Sequence, residues 1–285
     1  MEKIYRKEEN KIVVTDLSQF CIKHILECGQ VFRFKRLEEL ENEQLKYVYE
    51  IISLDKKAVI YEYKDKAVIV TKDVEYFINY FDLDTDYNKI KQSLIFDDIM
   101  KKATNYGCGI RILRQDIFET IISFIISANN NIKRIQKSVN LISEKFGTKM
   151  EDYYAFPSLN QLSKASKSDL RELGVGFRDE YIVSSIKMLE NVDFSELKKL
   201  ESSKLSSFLK TLKGVGQKVA DCIMLFAFYD MSVFPVDTWL KQVYNSFYSV
   251  TGCQDVKKIR EYFTSKFGKY SGYAQQYLFY YKREM

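Results

Sequence analysis

The stretch LKGVGQKVADCIMLFAFYDMSVFPVDTWL, residues 212–240, decides how the rest of the chain is read. Gly214-Val215-Gly216 opens a helix, Lys218 stands two residues past the second glycine, and Pro235-Val236-Asp237 is placed to start the next helix. Because glycine has no Cβ, the main-chain N–H groups from Gly214 through Val215 and Gly216 to Gln217 can approach a phosphate closely, while the helix that follows offers its positive end. Lys218 and Cys222 are four apart and share one helix face. Asp237, nineteen residues after the lysine, reads as an N-cap. A lysine and a carboxylate flanking one cavity suit a nucleophile and its electrostatic partner. Taken singly, each has a plainer reading: a solvated or phosphate-contacting lysine, and an ordinary cap.

The 285 residues allow two or three compact units, and a hydrophobic content of 46% with 15% aromatics is ample for their cores. No apolar run approaches bilayer-spanning length, and the start, MEKIYRKEENK, lacks the apolar segment of a signal peptide, so an intracellular protein is expected, cytoplasmic or nucleoid-associated if the source is bacterial. Five scattered cysteines without Cys-x-x-Cys spacing argue against a disulfide framework and a zinc site. The single histidine, His24, leaves no ordinary histidine-based metal centre and no Ser-His-Asp triad. Charge is uneven: 18 basic against 20 acidic side chains precede Cys108, and 26 against 19 follow from it. A polyanionic partner would meet mainly the second part.

Between Lys11 and Thr71 the pattern favours strands, at 31–36, 46–54, 57–64 and 66–71, the last three forming an antiparallel meander with reversals at Asp55-Lys56 and Lys64-Asp65. Residues 73–107 turn helical around an acidic link at Asp82, Asp84 and Asp86. From Arg114 nearly everything reads as helix. Residues 117–128 are apolar almost all round, the mark of a buried central helix, and 132–146 carry one apolar stripe ending at Gly147. Short helices are expected after Ser158 and Ser166, and further ones at 179–190, 195–201, 203–211, 238–248, 255–267 and 272–283. The expected fold class is α+β: an N-terminal antiparallel sheet domain (1–107), a helical domain carrying the helix-hairpin-helix and the active site (108–131 with 214–285), and a second helical domain (132–213).

Six motifs, CGQVFRF (28–34), GIRILRQDIFETIISFIISANNNIKRI (109–135), LGVGFRDEY (173–181), LKGVGQKVADC (212–222), PVD (235–237) and GYAQQYLF (272–279), together resemble the eukaryotic-type 8-oxoguanine DNA glycosylases of the helix-hairpin-helix superfamily. The hairpin alone would be weak, since many such hairpins only grip DNA.

The resemblance implies a base-excision repair enzyme, a bifunctional glycosylase and abasic-site lyase, with no cofactor and no metal. Its partner would be double-stranded DNA holding 8-oxoguanine opposite cytosine, and with no heptad pattern in the sequence the chain would act as a monomer away from membranes. Lys218 would attack the sugar C1′, expel the base and leave a Schiff base that permits β-elimination; Asp237 would stabilise positive charge developing on the sugar. The base must be flipped out of the duplex first. Phe279 and Cys222 would sandwich it, Gln275 would bond its Watson–Crick edge, and the Gly29 carbonyl would accept from the N7–H that guanine lacks. Asn129, Arg134 and Arg178 would hold the orphaned cytosine, and Phe177 would fill the vacated stack.

Phe177 stands where the family usually has tyrosine, and Trp239 where some members place a phosphate-contacting histidine; an indole offers one N–H and no charge. The alternatives are a helix-hairpin-helix glycosylase for another damaged base and a non-catalytic helix-hairpin-helix DNA-binding module. Iron–sulfur members carry four cysteines near the C-terminus, whereas only Cys253 lies beyond Cys222 here.

Overall fold

The computed structural model describes residues 3–285. Six strands, β1 (Tyr5–Glu8), β2 (Lys11–Val14), β3 (Phe34–Arg36), β4 (Leu45–Ser53), β5 (Lys56–Tyr63) and β6 (Ala67–Val70), form one sheet in the order β1-β2-β6-β5-β4-β3. Every pairing is antiparallel. The meander β4-β5-β6 lies where the sequence places it. Its first reversal falls one residue earlier, at Leu54-Asp55, with Ser53 paired to Lys56 and Leu54 at φ 55°. Val31, Phe32 and Arg33 are not strand: they leave the sheet edge and are buried.

Strand β5 alternates cleanly, with Ala58, Ile60 and Glu62 turned inward. The inward Glu62 is explained by α1 (Ile22–Glu27): its N-cap, Cys21, makes no side-chain cap bond, and the Glu62 carboxylate accepts from the Ile22 N–H at 2.6 Å instead.

Three helices follow the sheet, α2 (Val74–Tyr80), α3 (Tyr87–Leu94) and α4 (Asp98–Tyr106). Next come α5 (Ile117–Ser127), α6 (Ile132–Phe146), α7 (Leu159–Leu162), α8 (Lys167–Leu170), α9 (Asp179–Leu189), α10 (Phe194–Leu197) and α11 (Ser202–Leu209). The last are α12 (Gln217–Ala227), α13 (Thr238–Val243), α14 (Val256–Phe267) and α15 (Ser271–Glu284). The helix expected over 238–248 keeps α-geometry only to Val243 and continues as a wider turn through Tyr248. Ser158 and Ser166 each close a capping box.

One apolar core lies under the sheet, built by residues such as Ile12, Tyr49, Ile60 and Phe77, and a second, larger one unites the helices. Tyr87, Leu94 and Met100 of α3 and α4, inside the first expected unit, belong to the helical core because α4 packs along α15. Helix α5 is its shared element and touches α6, α9 and α12. Asp116 caps α5 by accepting from the Glu119 N–H at 2.9 Å. Among the described residues no helix is long and apolar enough to cross a membrane.

Candidate active site

The hairpin joins α11 to α12, and its two glycines differ. Gly214 has φ +85°, and a Cβ there would lie 2.4 Å from the Tyr181 ring, so both its conformation and its close neighbour require glycine. Gly216 has nothing within 4 Å of a would-be Cβ and makes no side-chain cap for α12. Its surroundings are open space in front of unpartnered helix N–H groups, which is where a phosphate can come. Val215 is buried and anchors the turn; the Gln217 side chain is already engaged with Asp221 at 2.9 Å and Lys210 at 3.1 Å, leaving its main chain for a ligand.

One small cavity collects the expected chemistry. Gly29, Lys218, Cys222, Asp237, Gln275 and Phe279 all line it, with Phe124 and Pro235. Helix α12 brings Lys218 and Cys222 on one face, and Asp237 sits at the N-cap of α13, accepting from the Leu240 N–H at 2.9 Å. That bond fixes the carboxylate while leaving its second oxygen for the cavity. Phe124 of α5 and Phe226 of α12 stack 5.5 Å apart beneath, and the Lys218 ammonium lies 5.9 Å from the Phe124 ring centre. Among the described residues no carboxylate pairs with Lys218 at salt-bridge distance; Asp237 shares its cavity and its field without closing a bridge.

Burial raises the Asp237 carboxyl above the ordinary aspartate range, opposed by the Leu240 N–H and by Lys218. Burial also pushes the Cys222 thiol up to about 11 against the pull of Lys218, so it remains a neutral, unreactive SH at physiological pH. Cys222 is thereby an uncharged wall of the cavity, with Lys218 on the same helix face. Gln275 is 6% exposed and its Oε1 has no hydrogen-bond partner. A buried amide oxygen left unpaired is a place for a ligand donor.

Gly29 reaches this site from the sheet side because three amides hold its turn. Gln276 donates to the Cys28 carbonyl, Gln115 to the Gln30 carbonyl at 2.8 Å, and buried Gln30 to the Ile25 and Arg111 carbonyls, both at 2.8 Å. Gly29 itself has φ +80°, and a Cβ on it would meet the Phe279 ring at 3.2 Å. The cavity is small, about 60 Å³. A far wider cleft, about 890 Å³, lies against α1 and is lined by Cys21, His24, Lys46 and Glu62, but it contains none of the expected residues.

The second group stands at the end of α5. Asn129 is exposed in a left-handed conformation, φ 51°; the Asn130 amide donates back to the Ile126 carbonyl at 3.1 Å, and Asn131 caps α6 through the Arg134 N–H at 3.0 Å. The Arg134 side chain is exposed and has no ion-pair partner among the described residues. Phe177, 56% exposed on the turn Gly176–Arg178, projects beside them. Arg178 is 4% exposed and gives Nε to Ala128 O at 2.9 Å, Nη2 to Asn129 O at 2.8 Å and Nη1 to Val175 O at 3.1 Å. Its donors hold the loop and do not stand open to a base. Trp239 is 39% exposed on the first turn of α13, outside the cavity.

Several buried polar groups escaped sequence reading. Arg111, fully buried, donates to the carbonyls of Gln19, Phe81 and Thr85 at 2.8 to 3.0 Å, and Asp221 pairs through both oxygens with Arg260 at 2.7 and 3.0 Å. The only local signal for either was a charge within an apolar run.

Residues 12–121 match the family model of the 8-oxoguanine DNA glycosylase N-terminal domain, and residues 122–269 that of the HhH-GPD superfamily of base excision DNA repair proteins. An N-glycosylase/DNA lyase of Arabidopsis thaliana is 36% identical over 67% of this chain, which spans only 58% of that protein's length. A probable N-glycosylase/DNA lyase of Methanothermobacter thermautotrophicus is 30% identical, with 72% of each chain covered. The crystal structure of a Clostridium acetobutylicum 8-oxoguanine glycosylase/lyase, bound to double-stranded DNA with cytosine opposite 8-oxoguanine, superposes with a TM-score of 0.91 at 40% identity, over 100% of this chain and 99% of that one. The chain belongs to the 8-oxoguanine DNA glycosylase family, within the HhH-GPD superfamily of base excision repair proteins.

Proposed function

We propose that this protein flips 8-oxoguanine out of duplex DNA, cleaves its N-glycosidic bond by attack of Lys218 on C1′, and nicks the resulting abasic site by β-elimination. The observation that carries this reading is the convergence of Lys218, Asp237, Gly29, Cys222, Gln275 and Phe279, from four separate parts of the chain, on one cavity. Lys218 forms the C1′–N bond as the base leaves with the glycosidic electron pair. Asp237, its carboxylate fixed at the α13 cap, stabilises the positive charge that develops on the sugar. Loss of the C2′ proton from the Schiff base then expels the 3′ phosphate.

Gln275 offers its unpaired amide oxygen to the flipped base, and Gly29 its carbonyl to the N7–H of the lesion. Guanine would present a lone pair to that carbonyl, at a cost of about 1–3 kcal/mol. Open space at Gly216 supports the hairpin as the phosphate grip, with Gly214, Val215 and Gln217 forming its frame. Exposed Phe177 suits the wedge, and Asn129 with Arg134 the orphaned cytosine. The protein acts as a monomer inside the cell, where the chromosome lies.

The test is base release from a duplex carrying one 8-oxoguanine opposite cytosine, beside an undamaged control. Free 8-oxoguanine with no release of guanine is expected; equal release of both, or of neither, removes the assignment.

A further inference from the structure

Gln275, Phe279 and Arg283 recur every four residues on α15 and form one row along the helix. The first two line the cavity; Arg283 continues the row behind Gly29. Its donors are divided. Nε donates to the Glu284 carboxylate at 2.9 Å, and Nη2 to the same carboxylate at 2.8 Å and to the Glu27 carbonyl. Nη1 is buried and has no partner. It lies 3.4 Å from the position a Cβ on Gly29 would take, next to the Phe279 ring edge, and the guanidinium carbon is 5.4 Å from that ring's centre. A buried cationic N–H left unpaired costs free energy that an incoming acceptor would recover.

We propose that Arg283 Nη1 is the donor for the C8 oxygen of the flipped base. The inference rests on the 8-oxoguanine reading of the cavity and extends it. The oxidised base differs from guanine by two adjacent groups on one edge, a hydrogen on N7 and an oxygen on C8. The Gly29 carbonyl answers the first, and a guanidinium donor beside Gly29 answers the second. Glu27 and Glu284 hold the planar fork still, so Nη1 needs no new rotamer when the base arrives. The Phe279 ring lies against both Gly29 and the guanidinium, so a base stacked on that ring with its edge at Gly29 is brought next to Nη1. Guanine, with hydrogen on C8, leaves this donor unpaired as well as the Gly29 acceptor.

The experiment compares wild type, Arg283→Met and Arg283→Lys on three duplexes: 8-oxoguanine opposite cytosine, 8-thioguanine opposite cytosine, and a preformed abasic site. 8-Thioguanine keeps the N7–H but carries sulfur, a weaker acceptor, at C8. Losing a charged hydrogen bond predicts a fall of about 10- to 100-fold in single-turnover excision of 8-oxoguanine by Arg283→Met. The preference for 8-oxoguanine over 8-thioguanine should shrink with it, and Arg283→Lys, which retains a cationic donor, should recover part of both. Abasic-site cleavage, which needs the fold, the DNA grip and Lys218 but no base, should change by less than about threefold. The proposal is overturned if excision by Arg283→Met stays within about twofold of wild type, if the oxygen-over-sulfur preference is unchanged, or if excision and abasic-site cleavage fall together. Wild type that cleaves the abasic site but excises neither base would overturn the 8-oxoguanine reading itself.

Discussion

Arg178 donates from Nη2 to the main-chain oxygen of Asn129 at 2.8 Å, and this bond, with those to Ala128 and Val175, ties the loop after α5 to the turn that carries Phe177. Asn129 is thereby kept in its left-handed conformation, φ 51°, with its side chain exposed. The two arginines of this region therefore divide their work. Arg178→Ala removes the bonds to the carbonyls of Ala128, Asn129 and Val175 that hold this loop and should cost about 2–3 kcal/mol of stability, slowing excision alike opposite all four bases. Arg134→Ala removes an exposed cation; stability should move by less than about 0.5 kcal/mol while the preference for cytosine falls. Thermal melts with an opposing-base series separate the two, and a loss of cytosine preference in Arg178→Ala alone would reverse the assignment.

Phe177 is half exposed and rests edge-on against Tyr181 at 5.8 Å. Phe177→Ala should leave stability within about 0.5 kcal/mol of wild type, yet lower excision about tenfold or more by removing a wedge whose unstacking work is worth a few kcal/mol. Phe177→Tyr should retain full excision, since bulk and a flat face are what the vacated stack requires.

The hairpin glycines predict opposite phenotypes. Gly214→Ala places a methyl 2.4 Å from the Tyr181 ring at φ +85° and should destabilise by about 2 kcal/mol or more. Gly216→Ala meets nothing within 4 Å and should melt like wild type while binding DNA less tightly. Calorimetry and a binding titration on undamaged duplex check both.

Much of this arrangement was legible because it is local. The caps at Ser158, Ser166 and Asp237 each bond within the next three residues, so spacing alone places them. The strands of the meander follow from alternation, and the cavity residues from their place in motifs. What stayed hidden depends on partners far along the chain. Arg178 reads as an open cation until the carbonyls fifty residues earlier are seen to use its donors. Arg283 looks like a surface residue near a terminus until Gly29 is placed against it. Helices α3 and α4 follow the sheet in sequence, but their apolar faces meet α15, a pairing no local pattern encodes.

Asp237 gives the protein a pH signature. Burial raises its carboxyl in the folded state, so its contribution to stability is full below the unfolded pKa and is lost as pH rises through the folded one. At neutral pH the ionised carboxylate therefore costs stability. Asp237→Asn keeps an N-cap acceptor and should melt at the same or a higher temperature at pH 7, with the advantage vanishing in acid, while excision falls by about 100-fold or more. Wild-type excision should decline toward acid with a midpoint above the ordinary aspartate value of about 3.9. A thermal series across pH and a single-turnover pH–rate profile measure the two limbs.

The central claim is that Lys218 is the nucleophile, and trapping tests it most directly. Borohydride is added during reaction with a duplex carrying one 8-oxoguanine opposite cytosine, using wild type and Lys218→Gln. Wild type should form a covalent protein–DNA adduct of one enzyme per strand, and Lys218→Gln, which keeps a polar side chain but no nucleophilic amine, should form none. An adduct with Lys218→Gln, or none with wild type while the base is still released, would contradict the lysine mechanism.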